Sequence, residues 1–292
     1  MGQLSKVPNY RGDCTGRDGG SIMRPSSKNT AVVTGASSGI GAVYADRLAK
    51  RGYNLILVAR NGTKLSTLAH RLKGELDVSV QTIAADLSDK NDLGRAEAML
   101  RSNASINLLL NNAGTGATAP LLNSDVEQMD KMIRLNVLAL TRLTYAAVPG
   151  FVARGGGTII NISSIVAISP ETFNGVYGGT KAFVLAFSQS LHHELVDKGV
   201  RIQAVLPGAT ATGFWDLAGL PVHKLPTAIV MSAEDTVDAA LAGLDQGEFV
   251  TIPSLVNRAE WEQFEATRRS MSGKLSRAVP APRYNVNKGF RQ

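Results

Sequence analysis

A tyrosine and a lysine stand four positions apart in GVYGGTKAF, residues 175–183. Four residues is just over one helical turn, so on a helix Tyr177 and Lys181 share a face. A phenol titrates near ~10 and is a poor proton donor or acceptor at neutral pH. Bringing it to 7 takes three units, or about 4 kcal/mol in total. An ammonium about 4 Å away supplies that much at an effective dielectric near 20. The pair suits an acid–base step on an oxygen. A packed tyrosine beside a solvated lysine would give the same spacing, so the context decides.

A second chemical stretch is TGASSGIG, residues 34–41, which follows the apolar run TAVVT. Gly35, Gly39 and Gly41 allow a tight turn and close approach to a ligand, and a helix starting there offers free N–H groups to a pyrophosphate. The spacing differs from the G-x-G-x-x-G fingerprint, and no lysine of a phosphate-binding P-loop is present. GASSG also satisfies G-x-S-x-G, the nucleophile elbow of serine hydrolases, which would make Ser37 a nucleophile. That rival needs a histidine partner, and only His70, His192, His193 and His223 exist. It also needs an oxyanion loop on an earlier strand, whereas this loop follows the first one. The next apolar run ends LVAR, so Arg60 stands where a dinucleotide fold places an acid for the ribose hydroxyls. A guanidinium there suits a 2′-phosphate, which favours NADP over NAD.

The elements that must position these residues are legible from hydrophobic patterning. Strands are expected at 30–34, 54–59, 78–84, 106–110, 157–162, 200–206 and 248–252, and helices near 39–51, 62–74, 89–101, 124–152, 176–198 and 233–245. Strands apolar on both faces and separated by helices imply a parallel sheet covered on both sides. The expectation is one doubly wound α/β domain with a seven-stranded parallel sheet, residues 29–252. Residues 1–28 are polar and aperiodic and read as a disordered extension, with Met23 leaving a shorter start open. Residues 253–292 read as an extra amphipathic helix, near 254–272, and a basic tail.

With these residues in view the chain resembles the short-chain dehydrogenase/reductase family over about 29–252. The motifs are TGASSGIG, ADL (85–87), NNAG (111–114), Asn136 in RLNV, Ser164 in NISS, Tyr177 with Lys181, and PGATAT (207–212). Ser164 precedes Tyr177 by thirteen residues, the family's usual spacing, which selects it over Ser163. The resemblance implies cofactor contacts from Gly35, Ser37, Ser38, Gly39, Ile40 and Gly41, and from Asp86 and Leu87 at the adenine. It implies that Asn111, Asn112, Ala113 and Gly114 back the cofactor and steady the sheet centre. Pro207, Gly208, Thr210 and Thr212 would meet the nicotinamide end. Asn136 would order a water beside Lys181, Ser164 would bond the substrate oxygen, and Tyr177 would exchange its proton. Lys181 would bind the nicotinamide ribose and lower the tyrosine pKa.

The implied activity is NADP-dependent interconversion of a carbonyl and a secondary alcohol. A cofactor-binding scaffold without turnover is the alternative, and the Ser37 hydrolase is third. The usual helix start Y-x-A-S-K is here YGGTK, and Gly178 and Gly179 would mark either a dimer seam or a wider substrate mouth. Phe214, Trp215, Leu217 and Leu220, in a segment where the family carries a lid, suggest an apolar pocket. The extra helix, with Leu255, Trp261 and Phe264 in contact, would cover the mouth or alter subunit contacts. His192 and His193 read as surface or interface residues, and no metal-ligand spacing occurs.

Composition narrows the partners. The 292 residues are 44% hydrophobic and 5% aromatic, with 29 glycines, which suits a soluble α/β protein. The net charge of +7 resides in the ends, since residues 1–28 carry +3 and residues 266–292 carry +7. The body is −3, which argues against a nucleic-acid partner. The basic C-terminal run fits a solvated tail better than a phosphate- or lipid-binding segment. No apolar run approaches a membrane span; the longest, from Leu135 to Phe151, reads as a buried helix. The single cysteine, Cys14, and the lack of a signal-like start suit a cytoplasmic chain. A homodimer or homotetramer would follow from pairing the helices at 124–152 and 176–198, as the resemblance implies.

Overall fold

The computed structural model describes residues 29–286; the extension at 1–28, with Cys14, lies outside them. The chain alternates strand and helix: β1 (Thr30–Thr34), α1 (Gly39–Lys50), β2 (Asn54–Ala59), α2 (Gly62–Glu75), β3 (Val80–Ala84), α3 (Lys90–Ser102) and β4 (Ile106–Asn111). Then follow α4 (Val126–Ile133), α5 (Leu140–Ala153), β5 (Gly157–Ile162), α6 (Gly175–Leu195), β6 (Val200–Val205), α7 (Phe214–Leu217), α8 (Ala233–Asp245), β7 (Val250–Thr251) and α9 (Arg258–Ser270). The seven strands pair in parallel in the order β3-β2-β1-β4-β5-β6-β7.

Alternation along the strands builds two cores. Val33, Leu55, Leu57, Leu108 and Leu110 pack with Tyr44, Leu48, Leu72 and Leu241 on one face. Val32, Ile56, Val58, Leu109 and Ile202 pack with Leu93, Leu143, Phe151 and Leu191 on the other. After β3 the chain returns to place β4 on the far side of β1. That reversal opens a crevice outside the carboxyl ends of these strands.

Two elements differ from their expected extents. The last strand is two residues long, because it pairs only through Val250 and Thr251 with Ala204 and Val205. The helix expected at 124–152 has its α-helical turns separated by a π-helical stretch, Arg134–Ala139. It is also half buried, not fully buried: Leu143, Ala147 and Phe151 face the core, while Leu138 and Tyr145 are exposed. Val126–Ala153 is long and apolar enough to cross a membrane by length and composition alone, and its inner face packs as a core helix does.

Candidate active site

The glycine loop, the loops after β2 to β6 and the segment around α7 enclose one cleft of about 1230 Å³. At its base Gly35 and Gly39 have φ of +68° and +54°, a conformation that a side chain disfavours. Ser38 makes no side-chain capping bond, so the first turn of α1 keeps its N–H groups open to an anionic ligand. Ser37, Ser38, Gly39 and Ile40 line the cleft together with Gly35. Gly41 does not. A Cβ there would lie 2.3 Å from the Gly35 carbonyl oxygen, so this glycine lets the helix pack against the loop.

Asn112 ties this loop to β4. Its Nδ2 donates to the Thr34 carbonyl at 2.9 Å, and the N–H groups of Asn112 and Ala113 donate to Thr34 Oγ1 at 2.9 and 3.0 Å. Asn112, Ala113 and Gly114 face the cleft. Asn111 points the other way, its Nδ2 donating to Asn161 Oδ1 at 2.9 Å and Thr144 Oγ1 at 3.1 Å. It steadies the sheet centre and makes no cleft wall, because side-chain alternation along β4 turns it into the core.

At one end of the cleft stand Arg60, Asp86 and Leu87. Asp86 accepts hydrogen bonds from the N–H and hydroxyl of Ser88 at 3.0 and 2.6 Å. Asn61 and Lys64 join Arg60 there, residues that sequence reasoning missed. The signal was present in ARNGTK: Asn61 caps α2 by accepting from the Lys64 N–H at 2.9 Å, which puts a second cation one turn beyond the first.

At the other end Asn136 sits in the π-helical stretch. Its Nδ2 donates to the Thr115 carbonyl at 2.9 Å and Thr180 Oγ1 at 3.1 Å, and its Oδ1 accepts from the Thr115 N–H at 3.0 Å. Its side chain thus anchors the loop after β4 to α6. A π-helical turn shifts local backbone pairing, and such turns recur at functional sites. Ser163 donates its hydroxyl to the Lys181 carbonyl at 2.8 Å, which leaves Ser164 as the serine beside the phenol. A hydrogen bond with Ser164 favours the ionised tyrosine, but burial outweighs it and pushes Tyr177 up to about 12. Burial also pulls Lys181 down to about 8. Its ammonium donates to the Ile162 carbonyl at 2.9 Å. Burial is thus the dominant influence on the phenol, and the Ser164 hydrogen bond is the one that opposes it.

Pro207, Gly208, Thr210 and Thr212 close the cleft from the β6 side. Thr210 turns its hydroxyl to the Gly208 carbonyl at 3.3 Å. Phe214, Trp215 and Leu217 form a wall with Phe173 and the strip from Leu225 to Met231, while Leu220 lies outside it. Gly178 packs beneath Pro170, where a Cβ would come within 3.1 Å of that ring. Gly179 has nothing within 4 Å. No histidine lines the cleft, so the Ser37 hydrolase lacks its base and falls. His192 instead stacks on Phe249 at 4.5 Å. The helix α9 does not cover the mouth. Trp261 packs near Leu185 and Val250, and buried Glu265 accepts from Gln189 at 2.9 Å. Among the described residues no group of His, Cys, Asp or Glu could hold a metal ion.

Comparison with known proteins places this geometry. Residues 29–218 match the family model described as short chain dehydrogenase. A short-chain dehydrogenase from Sphingobium yanoikuyae, solved in complex with NADPH, is 45% identical with a TM-score of 0.85, covering 88% of this chain and 99% of that one. A bulky-bulky ketone specific alcohol dehydrogenase from Comamonas testosteroni is 42% identical with a TM-score of 0.81, covering 88% and 98%. The very-long-chain 3-oxoacyl-CoA reductase of Mus musculus is 36% identical over 232 residues, 78% of this chain and 72% of the relative.

Proposed function

The chain belongs to the short-chain dehydrogenase/reductase family and is an oxidoreductase, and on that premise we propose that it reduces an apolar ketone with NADPH, Tyr177 supplying the proton. The observation that carries this reading is the convergence of Ser164, Tyr177 and Lys181 at one end of a cleft whose other end holds two cations.

The cleft suits a dinucleotide phosphate. The uncapped start of α1 would hold the pyrophosphate, and Arg60 with Lys64 would hold the 2′-phosphate. The NADPH of the Sphingobium relative supports this assignment. When bound, the cofactor supplies the hydride to the carbonyl carbon. Ser164 and Tyr177 donate hydrogen bonds to the carbonyl oxygen as negative charge develops on it. The phenol proton then passes to that oxygen, and Lys181 holds positive charge beside the resulting phenolate. Asn136 keeps the loop after β4 in place beside the lysine.

The substrate end favours a neutral ketone over an acyl-CoA. Its wall is Phe173, Phe214, Trp215, Ile229, Val230 and Met231, and its one charged side chain beyond Lys181 is Asp216. Coenzyme A phosphates need cations, and Arg60 and Lys64 stand at the opposite end. The ketone named for the Comamonas relative agrees with this. The chain is also a homo-oligomer in this reading. Ile133, Leu138, Tyr145 and Phe183 are exposed on the two long helices, and Phe187 stacks on both Tyr145 and Phe183, at 6.5 and 5.6 Å.

Fluorescence titration with NADPH and NADH, followed by a ketone screen with the preferred coenzyme, tests the assignment. NADPH binding at least tenfold tighter than NADH, with turnover of neutral aryl ketones, is expected. Binding without turnover of any ketone leaves a scaffold, and no binding removes the cofactor assignment.

A further inference from the structure

Phe214 begins the short helix α7 and projects its ring between the cleft and the buried Gly116. The tip of that ring occupies the space a side chain at position 116 would fill. A Cβ built on Gly116 would lie 2.3 Å from Phe214 Cζ and 2.8 Å from Cε2. The ring centre also stands 5.7 Å from that of Tyr177, tilted by 44°. Gly116 lacks a positive φ, so its backbone would accept alanine. What alanine could not do is leave the ring in place. Carbon–carbon contacts are comfortable at about 3.5 Å and beyond, so a methyl at 116 drives the ring tip back by more than about 1 Å.

The directions open to the ring are few. The Thr118 N–H and hydroxyl both donate to the Ala218 carbonyl, at 3.1 and 2.8 Å, which fixes the end of α7. Trp215 Nε1 donates to the Thr210 carbonyl at 2.8 Å, and its ring meets Phe173 edge-on at 5.9 Å. With its helix held at both sides, a displaced Phe214 swings into the cleft beside the Tyr177 ring, where a substituent of the substrate carbonyl must sit.

We propose that Phe214, seated in the notch left by Gly116, sets the size of the carbonyl substituent that this site accepts. The absent side chain at 116 lets the ring sit back in the cleft wall and leaves room for a second large group. This inference rests on the ketone-reductase reading and adds to it a residue pair that determines specificity.

The test uses acetophenone, with a methyl group, and butyrophenone, with a propyl group, reduced with NADPH by the full chain. For Gly116→Ala the ratio of kcat/KM for butyrophenone to that for acetophenone is expected to fall at least tenfold, with acetophenone changing less than threefold. In a Phe214→Ala background the same Gly116→Ala change should alter the ratio less than twofold, because the added methyl has no ring to displace. An equal fall in both backgrounds, or an unchanged ratio in both, overturns the role of Phe214. A wild-type protein that reduces neither ketone overturns the aryl-ketone reading and this inference with it.

Discussion

Lys181 carries its ammonium 5.9 Å from the centre of the Tyr177 ring and donates to the Ile162 carbonyl. The two groups are buried, and burial moves them in opposite directions, the phenol up to about 12 and the ammonium down to about 8. Each shift favours the neutral form. At pH 7 the site therefore presents a protonated phenol beside a lysine that is still mostly charged. That is the state carbonyl reduction requires, a proton to give and a cation to steady the phenolate left behind.

The pH profile of reduction follows from those two directions. The rate should be level from pH 6 to 7 and fall above about 8 as Lys181 loses its proton, since the phenol stays protonated throughout. Tyr177→Phe should lower kcat at least about 10³-fold, within the span of general acid catalysis, with the NADPH dissociation constant changed less than threefold. A kcat profile set by a group titrating near 6, or turnover surviving in the phenylalanine variant, would remove Tyr177 as the acid.

Stability should carry the same signature. Lys181 has its folded pKa below the unfolded value of 10.5, so the unfolded chain binds more protons between pH 8 and 10.5 and its contribution raises stability through that window. Tyr177 is raised above 10, so the folded chain holds its proton longer, and its contribution falls between pH 10 and 12. Lys181→Met should therefore have a Tm that rises less than the wild type between pH 8 and 10. Parallel curves would mean that the lysine is solvated in the folded protein.

Much of this was legible in the sequence because periodicity and turn chemistry are local. Gly39, Asn61 and Ala233 begin or cap helices where the pattern places them. The strand ends carrying Asn112, Ser164 and Pro207 converge because a doubly wound sheet brings its carboxyl ends together. What was not legible was facing and desolvation. Asn111 and Gly41 lie within cofactor motifs yet turn into the protein, which depends on strand alternation and on a neighbour distant in sequence. How far burial moves the Tyr177 phenol depends on how deeply α6 is packed, which a four-residue spacing does not encode. The pairing of Gly116 with Phe214, nearly a hundred positions apart, carries no local signal.

Asn111 and Asn161 form a buried polar link across β4 and β5, continued to Ser188 Oγ at 2.9 Å. Removing Asn111 leaves Asn161 Oδ1 buried without its donor, at about 1–3 kcal/mol for a neutral group. Asn111→Ala should lower the unfolding free energy by about that amount in urea titration, with NADPH affinity changed less than threefold. A large loss of affinity at unchanged stability would restore Asn111 to the cofactor site.

Arg60 lies at the cleft end beside Lys64, is exposed, and has no salt-bridge partner among the described residues. A guanidinium facing a 2′-phosphate makes charge-assisted bonds that the 2′-hydroxyl of NADH cannot match. Solvent screens an exposed contact, so the expected loss is at the low end for charged hydrogen bonds, about 1.5 kcal/mol or roughly tenfold. Arg60→Ala should weaken NADPH about tenfold and NADH less than threefold, and the NADPH loss should shrink as salt is raised from 0.05 to 0.5 M because the interaction is Coulombic, a range over which the screening length falls below ~10 Å. Lys64→Ala should show the same coenzyme bias to a smaller extent, as a point charge without the planar fork. Equal weakening of both coenzymes by Arg60→Ala would place the guanidinium against the adenine, and the choice of NADP would then have to come from Lys64.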